Sequence, residues 1–382
     1  MDIPRSRFSV LLVTSFLALA TLRCSDAATD PPPTESTPAV CAATGATADD
    51  WLWVEIDEGQ KPVLTIGDGD VPHIAYMLED MNGWIKYSEI NNAGQPTPPT
   101  TIVQGYFYGP IDIAVGQGKS VVAYHNHGFE DQVLQVFAVA QGWSGHRMVR
   151  EGHDGWHSSI RLGPLGLVHT ATIDPVGFAG DGIVYALFED GVWTPELAAA
   201  GDISYDWGLS LATTDDGTVY IAYFDGDAGV GKIARRNGPD SWGEMIVEGI
   251  PSGYTESGRF PQLEFDAAGN LHLAYLARAG TAGRGAIRYA TGTFGNLTVQ
   301  EVDVIDDIQV DLPGGKLGAR NIVDIELDSN GRPVLVYQSR SVTYIARSNG
   351  SGFDIEELPA SSYVTFCASK CPFPSTARTG ST

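Results

Sequence analysis

Short apolar stretches alternate with glycine- and aspartate-rich turns along most of the chain. A phrase of apolar residues that ends in Ala-Tyr, or in an equivalent pair, returns at intervals. Its copies lie at 72–76, 120–124, 167–172, 219–223, 271–275 and 333–337. Successive copies are about 50 residues apart, with a longer segment before the last one. Alternating apolar residues bounded by Gly, Asp and Asn predict β-strands joined by tight turns.

Each phrase stands in the same surroundings. A strand and a short turn precede it, and two further strands follow. An aromatic residue often introduces the last of these strands, namely Trp143, Trp193, Trp242 or Phe353. Four antiparallel strands in each of six consecutive units predict an all-β fold, a six-bladed β-propeller of four-stranded antiparallel blades. A pair of β-sandwiches would not give six regularly spaced copies of the phrase, and a β-solenoid has a much shorter repeat.

The repeat resembles those of the propellers grouped around the sialidase-like, or BNR-repeat, superfamily. The resemblance covers about residues 51–365, but the Asp-box Ser-x-Asp-x-Gly-x-Thr-Trp is absent. Sialidases grip a carboxylate with three arginines, and Arg259 and Arg320 precede first strands in a comparable place. Because no arginine lies between Arg23 and Arg147, the first blade cannot supply its share, and sialidase activity is not expected.

The chain divides into four segments. Residues 1–24 have the basic start and apolar run of a secretory signal peptide. Residues 25–50 form a Pro/Thr/Ala-rich stretch that we expect to be a disordered linker. Residues 51–365 hold the propeller, and 366–382 form a flexible tail that contains cysteines. No other apolar run is long enough for a transmembrane helix.

Cysteine usage fits export. Cys24 follows the apolar run like the lipid-acceptor cysteine of a bacterial lipoprotein, although Thr21 to Arg23 depart from the usual lipobox; cleavage after Ala27 is the alternative. A disulfide from Cys41 to Cys367 or Cys371 would join the two ends of a closed ring, and the connectivity stays open. We expect the outer membrane or cell surface if Cys24 is lipidated, and otherwise the periplasm or the medium.

Composition narrows the classes of function. Lys and Arg number 23 against 47 Asp and Glu, which gives a net charge of −24. Phosphate backbones and anionic lipid surfaces would repel such a chain, so nucleic-acid binding is excluded as a main role. The sequence contains no serine-hydrolase elbow, phosphate-binding loop, dinucleotide fingerprint or metalloprotease helix motif.

The candidate site lies on one face of the predicted disc. Turns between first and second strands are short and uniform, whereas the opposite loops and the links between blades vary and carry reactive side chains. Residues just before the first strands, among them His157, Trp207 and Phe260, should surround the channel mouth. The candidate ligand-binding residues are His125, His127, His157, Tyr205, Asp206, Trp207, Asp225, Arg259 and Arg320.

These residue types suit several chemistries. Histidines could bind a transition metal or act as general acid and base, but a histidine-rich surface loop more often does neither. Aromatic residues beside carboxylates suit sugar rings, with packing between blades as the alternative. The carboxylates Glu301, Asp303, Asp306, Asp307 and Asp311 raise the question of Ca²⁺, but their spacing favours a solvated acidic segment, and no cofactor is expected. His73, His169 and His272 belong to the repeated phrase and should be structural.

The sequence therefore favours an exported, monomeric binding module for a glycan or a surface protein. The alternative is a polysaccharide-active enzyme, a lyase or glycoside hydrolase with a His/Tyr/Arg site at the channel mouth. The segments 124–127 and 156–159 are similar to phrases of BNR-type propeller lyases. Fold alone does not decide between binding and catalysis.

Overall fold

The computed structural model describes the central part of the chain and one short N-terminal strand. The described residues are 7–13, 51–67, 71–78, 83–91, 93–127, 132–139, 146–148, 157–174, 182–201, 203, 208–280, 283–306, 322–339 and 342–358. Within these ranges the regular structure consists of strands and one 3₁₀ turn, Pro164–Gly166. No helix of the described residues is long and apolar enough to cross a membrane.

The strands follow one another in four-stranded groups, which we call the first to sixth units. Before them come β1 (Arg7–Val13) and β2 (Trp51–Glu58). The first three units comprise β3 (Gln60–Ile66), β4 (Pro72–Met77), β5 (Gly83–Glu89), β6 (Thr100–Gly105), β7 (Phe107–Gly116), β8 (Lys119–His127), β9 (Gln132–Val139), β10 (His146–Met148), β11 (Ser158–Leu162), β12 (Val168–Asp174), β13 (Gly182–Glu189) and β14 (Val192–Ala200). The last three comprise β15 (Leu209–Thr213), β16 (Val219–Asp225), β17 (Val230–Gly238), β18 (Ser241–Ile246), β19 (Glu256–Phe265), β20 (Leu271–Arg278), β21 (Arg284–Thr293), β22 (Asn296–Asp306), β23 (Val323–Leu327), β24 (Pro333–Ser339), β25 (Val342–Ser348) and β26 (Phe353–Glu357).

Each unit is an antiparallel meander in chain order. The repeated phrase forms the second strand of each unit, as the sequence predicted. The fourth and fifth units also share one parallel bridge, between Val230 and Ser257, which joins them into one eight-stranded sheet. The first strands of successive units contact one another in series from β3 to β23.

The apolar core lies between neighbouring units. One cluster joins Ile173 and Tyr185 of the third unit to Leu211 and Ile221 of the fourth, and the other consecutive pairs of units share similar clusters. The alanines and tyrosines of the phrase are buried in them, except Tyr76, whose cluster lies within the first unit and against Ile56 of β2. Burial of apolar surface therefore stabilises contacts between units as well as the sheets themselves.

A hydrogen-bond relay connects the inner edges of successive units. Asp112, Ser159 and Ser210 lie opposite the phrase alanine on the first strands of the second, third and fourth units. Their side-chain oxygens accept the backbone N–H of Ile160, Leu211 and Leu263 at 2.9, 3.3 and 3.1 Å. Each donor lies on the first strand of the next unit. The earlier unit therefore supplies a hydrogen-bond acceptor to a backbone N–H group at the inner edge of the next sheet, where no strand pairs with it.

Charged side chains meet where the first strands converge. Arg161 of the third unit lies 3.4 Å from Asp112 Oδ2 of the second unit and 3.8 Å from Glu264 Oε1 of the fifth. The Arg161–Glu264 pair skips the fourth unit. The inner strands of the second, third and fifth units therefore face a common centre.

The phrase histidines are structural, as predicted. His73, His169 and His272 are buried, and each Nδ1 hydrogen-bonds to a tyrosine hydroxyl on the third strand of its own unit. The first and third units make room for the imidazole with a glycine: a Cβ atom at Gly67 or Gly163 would lie 2.4 Å from the histidine Nε2. In the fifth unit His272 Nε2 lies 3.5 Å from Asp266 Oδ2 instead.

The N-terminal strand lies inside the predicted signal peptide. β1 pairs antiparallel with β2 over their whole length, with one irregularity between Phe8 and Ser9. Removal of this segment on export stays a prediction. The predicted linker at 25–50 and the tail at 366–382 lie outside the described residues.

Candidate functional site

The loops and links that the sequence singled out share one end of the units. β8 ends at His127 and β16 at Asp225, while β11 and β15 begin at Ser158 and Leu209. Because neighbouring strands are antiparallel, second strands end where first strands begin. The short turns between first and second strands lie at the opposite end.

His157 directly precedes β11 and is 5% exposed. Its carbonyl accepts the N–H of Ile173 at 3.1 Å, which fixes the backbone at this point. Its Nε2 is buried and has no hydrogen-bond partner among the described residues. Burial lowers the pKa of His157 to about 4, so the imidazole is neutral near pH 7. A neutral imidazole nitrogen can donate or accept one hydrogen bond.

Gly208 separates His157 from Phe260. Its φ of 75° lies in the left-handed region, which glycine adopts without strain. A Cβ atom at this position would lie 3.5 Å from Phe260 Cα and 3.6 Å from His157 Cε1. Two residues that directly precede the third and fourth units and one within the first strand of the fifth unit therefore meet at one place.

Phe260 belongs to an irregular stretch at the start of β19. Phe260 has a φ of 52°, which is rare for a bulky side chain, and Gly258 has a φ of 117°. The pairing with β20 shifts register twice here, on either side of Arg259. A Cβ atom at Gly258 would lie 2.1 Å from the backbone nitrogen of Gly231. Strands β17 and β19 therefore approach each other so closely that only glycine fits at this point. Backbone strain of this kind is concentrated at functional sites.

Arg259 points away from solvent. Its side chain is 4% exposed, forms an ion pair with Glu256, and lies with Cζ 5.3 Å from the ring centre of Phe224. The cation is therefore held by a carboxylate and an aromatic face. The double shift in register buries a residue that the sequence placed in an open link.

Asp225 follows Phe224 and is engaged within its own loop. Its carboxylate lies 2.6 Å from Lys232 Nζ and accepts the N–H of Ala228 at 2.9 Å. Burial alone would raise the pKa of Asp225, but Lys232 and the backbone donor hold it below its usual value. The carboxylate stays ionised and orders the loop between the second and third strands.

His125 and His127 lie on β8. The His125 side chain is 1% exposed, and the strand ends at His127 opposite Gln132. Tyr124 is fully buried and meets Phe107 edge-on, with the ring centres 5.6 Å apart. Burial raises the pKa of Tyr124 above its ordinary range, so its hydroxyl keeps its proton.

The structure thus brings together two groups of candidate residues. One consists of His157, Gly208 and Phe260, and the other of Arg259 and Phe224; the Asp225 carboxylate, next in the chain, pairs with Lys232 instead. Gly208, Ser158 and Phe224 were not among the sequence candidates. Ser158 Oγ, next to His157, is another buried polar atom without a hydrogen-bond partner in the described part of the chain. The remaining candidates lie outside the described residues: Tyr205, Asp206, Trp207, Arg320, Cys24, Cys41, Cys367 and Cys371.

The acidic segment before the last unit lies partly in β22. Glu301 accepts the Tyr254 hydroxyl and approaches Arg288, while Asp303 accepts the Tyr337 hydroxyl at 2.7 Å. Asp307 and Asp311 fall outside the described ranges. Among the residues that the structure describes, no group of three or more His, Cys, Asp or Glu side chains is arranged to hold a metal ion.

Comparison with known proteins gives a fold. No family model and no curated protein matches the sequence. An ulvan lyase, a polysaccharide lyase, shares 11% identity over 79% of this chain and 85% of that chain, with a TM-score of 0.53. The Aleuria aurantia lectin shares 14% identity over 78% and 95% of the two chains, with a TM-score of 0.48. A Hadza microbial sialidase shares 12% identity over 73% and 63%, with a TM-score of 0.47.

These neighbours are β-propeller proteins, and the likeness to them is loose and low in identity. The likeness to ulvan lyase, together with the antiparallel four-stranded sheets, shows an all-β fold of the propeller type. The propeller type of fold that the repeated phrase indicated is therefore confirmed.

Proposed function

We propose that the protein is an exported six-bladed β-propeller that binds glycans on the face where its second strands end. Two observations support a closed ring of six blades. The first strands contact one another in chain order, and Arg161 reaches Glu264 across the centre. In such a ring the second-to-third loops and the links between units surround one channel mouth.

The observation that carries the binding proposal is the state of His157. Buried polar atoms in native proteins nearly always have a partner, and each exception needs an explanation. His157 Nε2 is one of several such exceptions within the described ranges, His169 Nε2 among them, and it differs from His169 Nε2 in adjoining Gly208 and the strained Phe260. A sugar hydroxyl within hydrogen-bond reach would satisfy this nitrogen.

The same residue argues for binding rather than acid–base catalysis. An efficient general acid or base has a pKa near the working pH, whereas the pKa of His157 is about 4. Arg259 is paired with Glu256, and Tyr124 is buried against Phe107. The lipid anchor on Cys24, or release after cleavage, remains part of the proposal for localisation.

The test is a binding and degradation screen on the mature chain. Plant, algal and microbial polysaccharides are immobilised for binding and incubated in solution for release of reducing ends or unsaturated uronates. We expect retention on at least one polysaccharide without degradation. His157→Ala should weaken that binding about tenfold, the loss of one hydrogen bond, and His157→Gln should retain part of it.

The matched control is His169→Ala. His169 is equally buried and neutral, but it lies near the opposite end of the third unit. It should lose stability without losing affinity. Degradation of a polysaccharide would contradict the binding proposal in favour of the enzyme, and no retention on any polysaccharide would favour a protein ligand.

A further inference from the structure

Three half-buried aromatic rings meet between the fourth and fifth units. The ring centre of Tyr220 on β16 lies 4.7 Å from that of Phe265 on β19 and 6.0 Å from that of Phe294, which follows β21. Each of the three residues is partly exposed. Phe265 ends a first strand and Tyr220 lies near the start of a second strand, so the rings lie at the end of the short turns, opposite His157.

The fourth unit departs from the repeat at this place. In the first, third and fifth units, the residue three positions before the end of the phrase is a histidine that hydrogen-bonds to a tyrosine on the third strand. Tyr220 holds the histidine position in the fourth unit, and Ile233 lies opposite Ala222, where those units have the tyrosine. The structural pair is therefore replaced here, and departures from a repeated rule are expected at functional positions.

Arg235 lies directly opposite Tyr220 on β17, so the two side chains share one face of the sheet. Its Cζ lies 5.5 Å from the ring centre of Phe294, a cation–π contact between the two units. The guanidinium has no hydrogen-bond or ion-pair partner in the described part of the chain. Its Nε is buried, whereas the terminal nitrogens are not. By contrast, Arg236 and Arg288 each lie 2.6 Å from a glutamate oxygen.

The side of Arg235 that faces the outer strand is uncovered. Its neighbour on β18 is Gly243, which has no side chain. A Cβ atom at Gly243 would lie 3.2 Å from Asn237 Nδ2, so the Asn237 amide group stands beside this opening. A ligand that approaches from the outer edge would therefore meet a guanidinium and an amide, with aromatic rings behind them.

We propose that Tyr220, Arg235 and Phe294 form a second binding site, for an acidic sugar of the uronate class. The carboxylate of the sugar binds the terminal nitrogens of Arg235, whose planar fork matches two carboxylate oxygens. The apolar face of the sugar ring packs against the exposed aromatic rings. The site lies at the opposite end of the units from His157 and does not rest on the glycan binding proposed there.

The net charge of −24 does not prevent this contact. At physiological ionic strength charges are screened beyond about 8 Å, so distant carboxylates act weakly on a short ligand. One carboxylate is near. Burial raises the pKa of Tyr220, Arg235 lowers it and Asp216 raises it, so both charges act on the same hydroxyl group. Asp216 should therefore reduce the affinity for an anion without abolishing it.

The experiment measures binding of trigalacturonate to the mature chain by isothermal titration calorimetry. Its methyl ester has the same sugar rings without the negative charges and should bind at least tenfold more weakly. Arg235→Met keeps an apolar stem on Phe294 and should weaken binding of the acid by about ten- to hundredfold, the loss of a charged hydrogen bond. Arg235→Lys keeps the charge without the fork and should retain part of the affinity, which also covers the case that Arg235→Met does not fold.

Two further variants test the surroundings of Arg235. Phe294→Leu should weaken binding of trigalacturonate by about three- to tenfold through loss of the ring face. Asp216→Asn removes the neighbouring negative charge and should strengthen binding by about two- to threefold. Its amide oxygen can still accept the N–H of Thr218, which Asp216 Oδ1 accepts at 3.0 Å.

The matched control is His157→Ala, which should leave the affinity for trigalacturonate unchanged, so this proposal and the one at the other face can fail separately. Acetylated and amidated triglutamate carries three carboxylates without sugar rings and should bind at least tenfold more weakly than trigalacturonate. Equal binding of the peptide would mean a site for acidic peptides and would refute the sugar site. So would absence of trigalacturonate binding, equal affinity for the methyl ester, or unchanged affinity in both Arg235 variants.

Discussion

Arg161 and Glu264 are separated by a complete four-stranded unit in the chain, yet the Arg161 guanidinium lies 3.8 Å from the Glu264 carboxylate. A linear stack of sheets would keep the third and fifth units apart. The contact therefore shows that the series of units curves around a centre. Arg161 also lies 3.4 Å from Asp112, so the second unit faces the same centre.

This contact should appear as an energetic coupling. In a double-mutant cycle, Arg161→Met and Glu264→Gln should be non-additive by about 0.5–2 kcal/mol in the free energy of unfolding, because contacting charges share their stabilisation. Urea unfolding provides the measurement. A cycle of Arg161→Met with the distant Asp215→Asn serves as the control and should be additive. Additivity in both cycles would show that the two side chains do not interact.

A glycine follows the first strand of a unit, and replacing it should reduce stability only where a histidine of the repeated phrase occupies the position of the added Cβ atom. A Cβ atom in Gly67→Ala would lie 2.4 Å from His73 Nε2 and 2.7 Å from Val115 Cγ1. We expect a loss of about 1–3 kcal/mol in unfolding free energy from overpacking. The equivalent change in the second unit, Gly116→Ala, has its nearest contact at 3.9 Å and should cost much less. Equal losses in the two variants, measured by denaturant unfolding, would contradict this explanation.

Glu196 should be a strong link between the third and fourth units. It is 4% exposed and accepts Arg236 Nε at 2.6 Å, Asp240 N at 2.8 Å and Trp242 Nε1 at 3.1 Å. Glu196→Ala leaves these donors without their acceptor and should lower the unfolding free energy by about 2–3 kcal/mol. Glu189→Ala, an exposed glutamate of the same unit, should change it little. A loss below about 1 kcal/mol for Glu196→Ala would show that water replaces the carboxylate.

Acid should destabilise the fold through His169. Its folded pKa of about 4 lies below the value near 6.5 of an unfolded histidine, so its stabilisation is complete above pH 6.5 and is lost as the pH falls towards 4. Between pH 7 and pH 5 this amounts to about 2 kcal/mol. His169→Asn removes the titration and should lose correspondingly less stability than wild type over that range. The control is Asp190→Asn, an exposed turn residue of the same unit, which should follow the wild-type pH profile of stability. If His169→Asn followed the wild-type profile as well, the prediction would be wrong, because the imidazole would then be accessible to water.

Much of the fold could be predicted because the phrase repeats. The alternation in 219–223 fixes which residues face a neighbouring unit, and Tyr223 is buried as that pattern requires. The relay left a weaker signal: Asp112, Ser159 and Ser210 are polar residues at one position of successive first strands, which a comparison of the repeats would have revealed.

The site was harder to predict. The burial of Arg259 depends on the backbone of Gly258 and Phe260, whose left-handed angles break the alternation on which sequence reasoning relies. The place of Gly208 depends on contacts between links that are about 50 residues apart in the chain. Such geometry is set by tertiary packing, and no local pattern of residues encodes it.

The relay at the inner edge also gives the molecule a direction. In each of its three steps the acceptor belongs to the earlier unit and the donor to the later one. During synthesis the N-terminal parts of a chain leave the ribosome first. When each of these inner strands is synthesised, the side chain that accepts its N–H has therefore already been made. The earlier unit can bind the edge of the next sheet as it forms, which leaves these backbone donors less open to pairing with another molecule.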